Sequence, residues 1–318
     1  MFDEPGTYLH PIAQINLQRV FESLAEESQL LYSTHSIFMV SKNSPTRNRV
    51  IQKTKAGTVI DKKPYSRNWK AVRESLGIVL AQNFLIADRI LLVEGPSDEV
   101  YIATVLSYLA HGDVIDIDLN EFCVVDAGDW RNYVAMAKLM LEEGRTVICL
   151  LDNDSHGRSV KENLEKIASS EINEAKLVLH LLPENCSTED VLPHKDILIE
   201  GIVTLTDQLV QSGIIKLAND ETLETIRQKA TDIIQKKKSP NKTLGALINE
   251  LCRAVYKDEA TLSKVALSAF YADQIALLPQ GSAAKVQRKG IQDIIELKDK
   301  LGLNKRKAER KIIDDNEP

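Results

Sequence analysis

Two short acidic motifs each follow an apolar segment of the chain. Glu94-Gly95-Pro96-Ser97-Asp98 comes directly after residues 90–93, and Asp152-Asn153-Asp154 comes directly after residues 147–151. Carboxylate oxygens are the ligands that hard divalent cations such as Mg²⁺ and Mn²⁺ prefer. Several carboxylates held close together repel one another unless a cation lies among them. The two motifs therefore predict a site for a hard divalent metal ion.

The segments around these motifs alternate between strand and helix patterns. The apolar runs have the length and composition of buried strands, and they lie at residues 90–93, 122–126, 147–151 and 176–182. The segments between them have helical spacing, at residues 99–110, 133–143 and 157–169. This alternation predicts an α/β fold with a parallel sheet. Because ligands gather beyond the carboxyl ends of such strands, we expect Glu94, Asp126, Asp152 and Asp154 to share one edge.

The composition fits a chain with more than one module. Its 318 residues, 43% of them hydrophobic, can form one good core or two to three smaller ones. No apolar run approaches the roughly 20 residues that cross a bilayer, and no signal peptide opens the chain. The four cysteines are scattered without a Cys-x-x-Cys pair, which argues against a zinc site and favours a reducing, cytoplasmic setting.

The net charge of -6 argues mildly against nucleic-acid binding, but the basic residues are unevenly distributed. Ten Lys or Arg residues and a single acid lie between Lys42 and Arg73, and further basic clusters lie at residues 236–238 and 305–311. Phosphate binding depends on such local patches rather than on the total charge. Each patch can equally be a solvated face or tail.

The paired motifs resemble the Toprim domain of topoisomerases, primases and several nucleases. In that family a strand ends in Glu-Gly-x-x-Asp and a later strand ends in Asp-x-Asp, as at Glu94–Asp98 and Asp152–Asp154 here. The resemblance implies a four-stranded parallel sheet flanked by helices. Where the family usually has Gly-Gly after the middle strand, this chain has Gly128-Asp129. Asp126, before that turn, is either a supporting group or a simple turn acid.

In the nuclease branch of the Toprim family, the resemblance implies a further acidic ligand and a late lysine. Glu189, with Asp190 as the alternate, follows the strand at 176–182 and is expected to be that ligand. The other interpretation is an ordinary helix start capped by Ser187 or Thr188. Lys285 or Lys289 is the expected lysine, which in related nucleases reaches the scissile phosphate.

The beginning of the chain resembles the second half of an ABC-type ATPase. Asp3 would end the Walker B strand, Glu4 would activate water, and His35 would be the switch histidine that contacts the γ-phosphate. The glycine-rich phosphate loop G-x-x-x-x-G-K-[ST] is absent from the sequence. ATPase activity is therefore not expected from this chain alone, and ATP is expected only in a longer parent protein of which this chain is a piece.

An ATPase half joined to a Toprim unit is similar to the OLD-family (overcoming lysogenization defect) nucleases, which include subunits of Gabija-type antiphage systems. The resemblance implies two-metal hydrolysis of DNA phosphodiesters with Mg²⁺ or Mn²⁺, and a role in antiphage defence or DNA repair. The expected metal ligands are Glu94, Asp98, Asp152, Asp154 and Glu189. The expected partners are DNA, a second copy bound through the ATPase half and a UvrD-like helicase, without a membrane.

The expected boundaries are an ATPase remnant at 1–65, a connecting helix at 66–87, the Toprim domain at 88–200, a helical insertion at 201–275 and a C-terminal segment at 276–318. No chemistry is expected in the insertion. A topoisomerase would need a large tyrosine-bearing domain, and a primase would need a cysteine-bound zinc module. The alternative from another class is a non-catalytic fragment for dimerisation and DNA binding.

Overall fold

A computed structural model describes most of the chain. The described residues are 1–41, 47–54, 57–61, 89–119, 122–168, 177–218, 221–236, 241–257, 261–279, 281–286 and 291–302. The connecting helix expected at 66–87, Lys289 and the charged tail lie outside them. No helix within the described ranges is long and apolar enough to cross a membrane.

The N-terminal part contains two small sheets. Strand β1 (Phe2–Asp3) pairs in parallel with β2 (Tyr32–Ser33), and helix α1 (Pro11–Leu24) connects them. Strands β3 (Val50–Thr54) and β4 (Gly57–Asp61) form an antiparallel pair.

The centre of the protein is a four-stranded parallel sheet. Its strands are β5 (Arg89–Val93), β6 (Phe122–Asp126), β7 (Thr146–Leu151) and β8 (Leu177–Leu181), in the spatial order β6-β5-β7-β8. The crossover helices are α2 (Pro96–His111), α3 (Trp130–Glu142) and α4 (Ser155–Ala168). The predicted α/β class with its parallel sheet is confirmed, and the carboxyl ends of β5 and β7, which carry the two acidic motifs, are adjacent.

The two faces of the sheet bury alternate residues of the same strands. On one face Leu91 and Ile148 pack with α2 and with the helices that follow the sheet. On the other face Leu92 and Cys149 pack against α3 and α4. Burial on both faces explains why these strands are continuous apolar runs rather than alternating ones. All four cysteines are free thiols.

Helices dominate the chain after β8, as predicted for the insertion at 201–275, and a further helix lies in the C-terminal segment. They are α5 (Lys195–Gln211), α6 (Leu223–Lys236), α7 (Leu244–Val255), α8 (Lys264–Leu277) and α9 (Gln292–Leu301). Helix α8 packs along α2, where the rings of Tyr101 and Tyr271 meet edge to face at 5.5 Å. Lys264, the first residue of α8, acts on the charge of Asp98 in the first turn of α2, so the two helices begin side by side at the acidic edge of the sheet.

His180 on β8 makes folding stability depend on pH. Its side chain is 2% exposed, and neither ring nitrogen has a hydrogen-bond partner among the described residues. Burial, with a contribution from Lys300, lowers its pKa from 6.5 to about 4. Between these two pH values the unfolded chain therefore binds a proton that the folded protein does not, and stability falls as the pH falls.

We expect His180 to cost about 3 kcal/mol of unfolding free energy between pH 6.5 and pH 4, at about 1.4 kcal/mol per pKa unit. Urea unfolding of the wild type and of His180→Gln, measured at several pH values, tests this. The difference between the two curves isolates His180 from the other titrating groups. A difference that is constant from pH 7 to pH 4 would contradict the expectation.

Candidate active site

The first acidic motif links the end of β5 to the start of α2. Glu94 follows the last strand residue directly, and Pro96 occupies the first turn of the helix, where its missing N–H costs nothing. The carboxylate of Asp98 accepts a hydrogen bond of 3.1 Å from the backbone N–H of Gly95. This bond folds the turn so that Glu94 and Asp98 both lie at the carboxyl edge of the sheet.

The second motif follows β7 and has two differently bonded carboxylates. Asp152 accepts the backbone N–H of Thr188 at 3.0 Å, which ties β7 to the segment after β8. Asp154 accepts the backbone N–H groups of His156 and Gly157 at 2.8 and 2.9 Å and so caps α4. A Cβ on Gly157 would lie 1.8 Å from the carbonyl oxygen of Asp152, so only glycine allows this close turn.

Glu189 and Asp190, the two alternatives after β8, have different surroundings. Both lie in the 3₁₀ turn Thr188–Val191. Glu189 is 3% exposed, and the hydroxyl of Ser187 donates to its carboxylate at 2.7 Å. Asp190 accepts backbone N–H groups of Ser187 and Leu244 at 2.9 and 2.8 Å. The structure thus brings Glu189 to the carboxyl cluster and gives Asp190 the role of anchoring α7.

Three of the clustered carboxyl groups have raised pKa values. Burial, and then the charge of Glu189, raise the pKa of Asp98 to about 7. Burial, followed by the charges of Asp98 and Glu189, raises the pKa of Asp152 well above its usual value. Burial and then Asp154 raise the pKa of Glu94. These groups therefore share one electrostatic environment, in which added positive charge is stabilising.

Lys264 is the cation that the structure places in this cluster. It is the first residue of α8, and its Nζ lies 3.8 Å from a carboxylate oxygen of Glu189. Glu189, despite an opposing effect of burial, raises the pKa of Lys264. The ammonium also acts on Asp98 and Asp152. Lys264 belongs to the segment 201–275, in which no chemistry is expected from the sequence, so the structure brings that segment to the carboxyl cluster.

Nothing in the local sequence distinguishes Lys264 from other surface lysines. Ser263 caps α8 by accepting a hydrogen bond from the backbone N–H of Ala266 at 3.2 Å. The sequence therefore indicates where this helix begins, but not what Lys264 contacts. The contact with Glu189 arises from the packing of α8 along α2. A tertiary contact of this kind leaves no periodic or spacing pattern in a single sequence.

The expected lysine Lys285 lies elsewhere. It ends a 3₁₀ turn, Ala283–Lys285, that packs beside Gly112 at the far end of α2. With 16 residues, α2 is roughly 24 Å long, so this turn is about that distance from the motif at its start. Lys285 is therefore not brought to the carboxyl cluster.

Asp126 is the last residue of β6 and lies in register with Val93 of β5. The turn that follows it has Gly128 at a φ of 79°.

The three residues of the ATPase-like segment come together at the ends of β1 and β2. The hydroxyl of Ser33 donates a hydrogen bond to Asp3. Glu4 accepts the backbone N–H of His35 at 3.1 Å, and the His35 ring lies 3.7 Å from the same carboxylate. This arrangement is compatible with the predicted nucleotide-site roles, which remain predictions.

The chemistry of the carboxyl cluster suits hard divalent ions. Its donors are carboxylate oxygens, the ligand type of Mg²⁺ and Mn²⁺. The raised pKa values of Asp98 and Asp152 indicate that a positive charge would stabilise the ionised carboxylates. Within the described residues, no three Asp, Glu, His or Cys side chains already stand at the spacing that encloses one ion.

Residues 85–154 match the family model of the Toprim domain of OLD-like (overcoming lysogenization defect protein-like) proteins. This match confirms the resemblance expected from the acidic motifs. Over 82 residues the chain is 31% identical to an uncharacterised protein of Methanocaldococcus jannaschii, covering 24% of this chain and 21% of that protein. The chain thus spans about a fifth of that relative.

Two solved structures of OLD proteins are similar to the chain. The C-terminal region of the Xanthomonas campestris pv. campestris OLD protein has a TM-score of 0.41 and 14% identity, and the match covers 68% of this chain and 97% of that one. The C-terminal region of the Burkholderia pseudomallei OLD protein has a TM-score of 0.37 and 14% identity, with 68% and 99% covered.

Gly245, near the start of α7, determines the space available to Glu189. A Cβ at this position would lie 2.8 Å from a carboxylate oxygen of Glu189, and the backbone N–H of Gly245 bonds Ser187 Oγ at 3.2 Å. We expect Gly245→Ala to push Glu189 out of the cluster while leaving every carboxylate in the sequence. Plasmid cleavage, the activity proposed below, should then fall about tenfold or more, because a misplaced catalytic group loses its productive geometry.

Gly112, at the end of α2 far from the acidic motif, offers a matched control for that prediction. A Cβ there would lie 2.2 Å from the Cβ of Ala283, so Gly112→Ala disturbs packing away from both the carboxylates and Lys264. The two variants are compared by thermal unfolding and by plasmid cleavage. A loss of activity in Gly245→Ala that merely follows its loss of stability, as in Gly112→Ala, would contradict the expected displacement of Glu189.

Proposed function

We propose that this chain is a metal-dependent endonuclease that hydrolyses phosphodiester bonds of DNA. The observation that carries the proposal is the shared environment of Glu94, Asp98, Asp152 and Glu189 with Lys264, at the carboxyl edge of an OLD-like Toprim sheet. Buried carboxylates with raised pKa values beside one cation are costly for folding alone, and such groups concentrate at catalytic sites.

Five carboxylates would hold the metal ions: Glu94, Asp98, Asp152, Asp154 and Glu189. When bound, two Mg²⁺ or Mn²⁺ ions would activate a water molecule and neutralise charge on the phosphate. The chain supplies the orientation of these ligands. The Thr188 N–H fixes Asp152, and the Ser187 hydroxyl fixes Glu189.

Lys264 would act on the substrate rather than on the metal. Its side chain is 49% exposed, so the ammonium reaches solvent while it stays beside Glu189. A phosphodiester that enters the cluster brings negative charge, and this charge increases as the phosphorus becomes five-coordinate. A lysine at this position would stabilise the added charge, which is the role expected above for Lys285 or Lys289.

The test is incubation of the purified chain with supercoiled plasmid in Mg²⁺, Mn²⁺, Ca²⁺ or EDTA, without ATP. Nicked or linear product that requires Mg²⁺ or Mn²⁺ and disappears in EDTA is the expected result. Intact strands with a changed linking number would replace the proposal with a topoisomerase. An intact plasmid in every metal, although the DNA is bound, would favour the non-catalytic alternative.

A further inference from the structure

Two aromatic rings form a flat surface at the rim of the carboxyl cluster. Trp130 begins α3, His156 lies in the first turn of α4, and their rings stack with centroids 4.6 Å apart and planes 19° apart. The His156 side chain is 53% exposed although Trp130 covers one of its faces. Its other face is therefore open to solvent, and the pair forms a platform with a free aromatic surface.

This ring pair is connected to the carboxyl cluster by short segments of backbone. The His156 N–H donates to Asp154, and both His156 and Asp129 are close enough to Glu94 to act on its charge. Trp130 follows β6 by four residues, and the end of β6 is in register with the residue before Glu94. A strand whose phosphate enters the cluster would therefore pass beside the open ring face.

An arginine follows each ring residue closely in the chain, Arg131 directly after Trp130 and Arg158 two residues after His156. Arg158 donates through Nη1 to the carbonyl and side-chain oxygens of Asn153, at 3.2 and 3.0 Å, so these hydrogen bonds leave its charge uncompensated. Arg131 is held by Asp129 through Nε and Nη2, which leaves three of its five N–H donors for other partners. Guanidinium groups of this kind bind phosphate oxygens of a nucleic-acid backbone.

From these contacts we propose that His156, backed by Trp130, is a stacking site for an unpaired base of the DNA strand, with Arg158 and Arg131 on the adjoining phosphates. An aromatic face beside guanidinium groups is how proteins bind single strands without reading sequence, because every base has a π face. In a duplex the bases are covered by their neighbours, so the site favours single-stranded or locally opened DNA. The proposal rests on the proposed nuclease function and names its substrate.

The test compares two fluorescein-labelled 12-mers in EDTA, a thymidine strand and an abasic strand with the same phosphates. We expect the wild type to bind the thymidine strand about tenfold more tightly, since stacking acts only on bases. His156→Ala should abolish that preference, and His156→Phe should keep it. Arg158→Gln should weaken both strands alike and reduce the slope of log affinity against log salt by about one.

Lys161→Gln and Leu139→Ala are the matched controls, because they change an exposed charge on α4 and an exposed apolar residue on α3. Neither should change the thymidine preference. Equal binding of both strands by the wild type, no binding of either, or a preference that survives His156→Ala would overturn the proposal. Since the assay needs no cleavage, its failure is independent of a failure of the plasmid test.

Discussion

We expect replacement of Asp152 with Asn to lower plasmid cleavage about 10³-fold or more, while DNA binding in EDTA should stay within about twofold of the wild type. Asp152 is a clustered carboxylate fixed by the Thr188 N–H, and Asn keeps its shape while removing the charge that a metal ion needs. A metal-bound site contributes several kcal/mol to the stabilisation of the transition state, which corresponds to a loss of this size.

The same substitution also has an expected effect on stability. The folded protein raises the pKa of Asp152, first by burial and then by the charges of Asp98 and Glu189. At pH 8 the unfolded chain ionises this carboxyl more readily than the folded protein does, so the carboxyl opposes folding, and its replacement by Asn should raise the melting temperature in EDTA. Asp113→Asn is the control, since Asp113 has a left-handed φ of 54° that Asn tolerates. Equal losses of cleavage in the two variants would contradict the assignment.

Lys264→Met is the second substitution with a large expected effect. We expect a 10²- to 10³-fold loss of cleavage, because a single preorganised group that stabilises developing charge has this magnitude in enzymes. The long apolar side chain of Met keeps the packing at the start of α8. Because the chemical step is affected, single-turnover rates at saturating DNA should fall, whereas DNA affinity should change little.

Lys285→Met is the matched control for Lys264. Both are lysines near the C-terminal half of the chain, but Lys285 lies at the opposite end of α2 from the carboxyl cluster. Plasmid cleavage by Lys285→Met should equal that of the wild type within about twofold. An inactive Lys285→Met together with an active Lys264→Met would contradict the proposed role of Lys264 beside Glu189.

The sequence was most informative where local patterns determine structure. Apolar runs that stop at carboxylates predicted β5 and β7, and parallel pairing necessarily places Glu94 and Asp152 at one edge. The sequence could not separate Glu189 from Asp190, since both follow a capping serine. Only the packing of α7 does so, because the Leu244 N–H binds Asp190 and leaves Glu189 facing the cluster.

The contribution of the helices after β8 was beyond the reach of sequence patterns. Lys264 reaches Glu189 through the packing of α8 along α2, and residues that are distant in the chain and meet in this way leave no periodic signal. The ring pair of Trp130 and His156 has the same origin, since α3 and α4 meet beside the sheet. The sequence therefore predicts the motifs at the strand ends, but not the contacts between residues that are distant in the chain.

The central claim is that the carboxyl cluster binds divalent ions, and Mn²⁺ titration followed by electron paramagnetic resonance tests it most directly. We predict saturable binding by the wild type that tightens from pH 6 to pH 8, because Asp98, with a pKa of about 7, must lose its proton. Asp152→Asn should weaken binding at least tenfold, and Asp113→Asn should not. Mn²⁺ binding that is absent in the wild type, or unchanged in Asp152→Asn, would contradict the account.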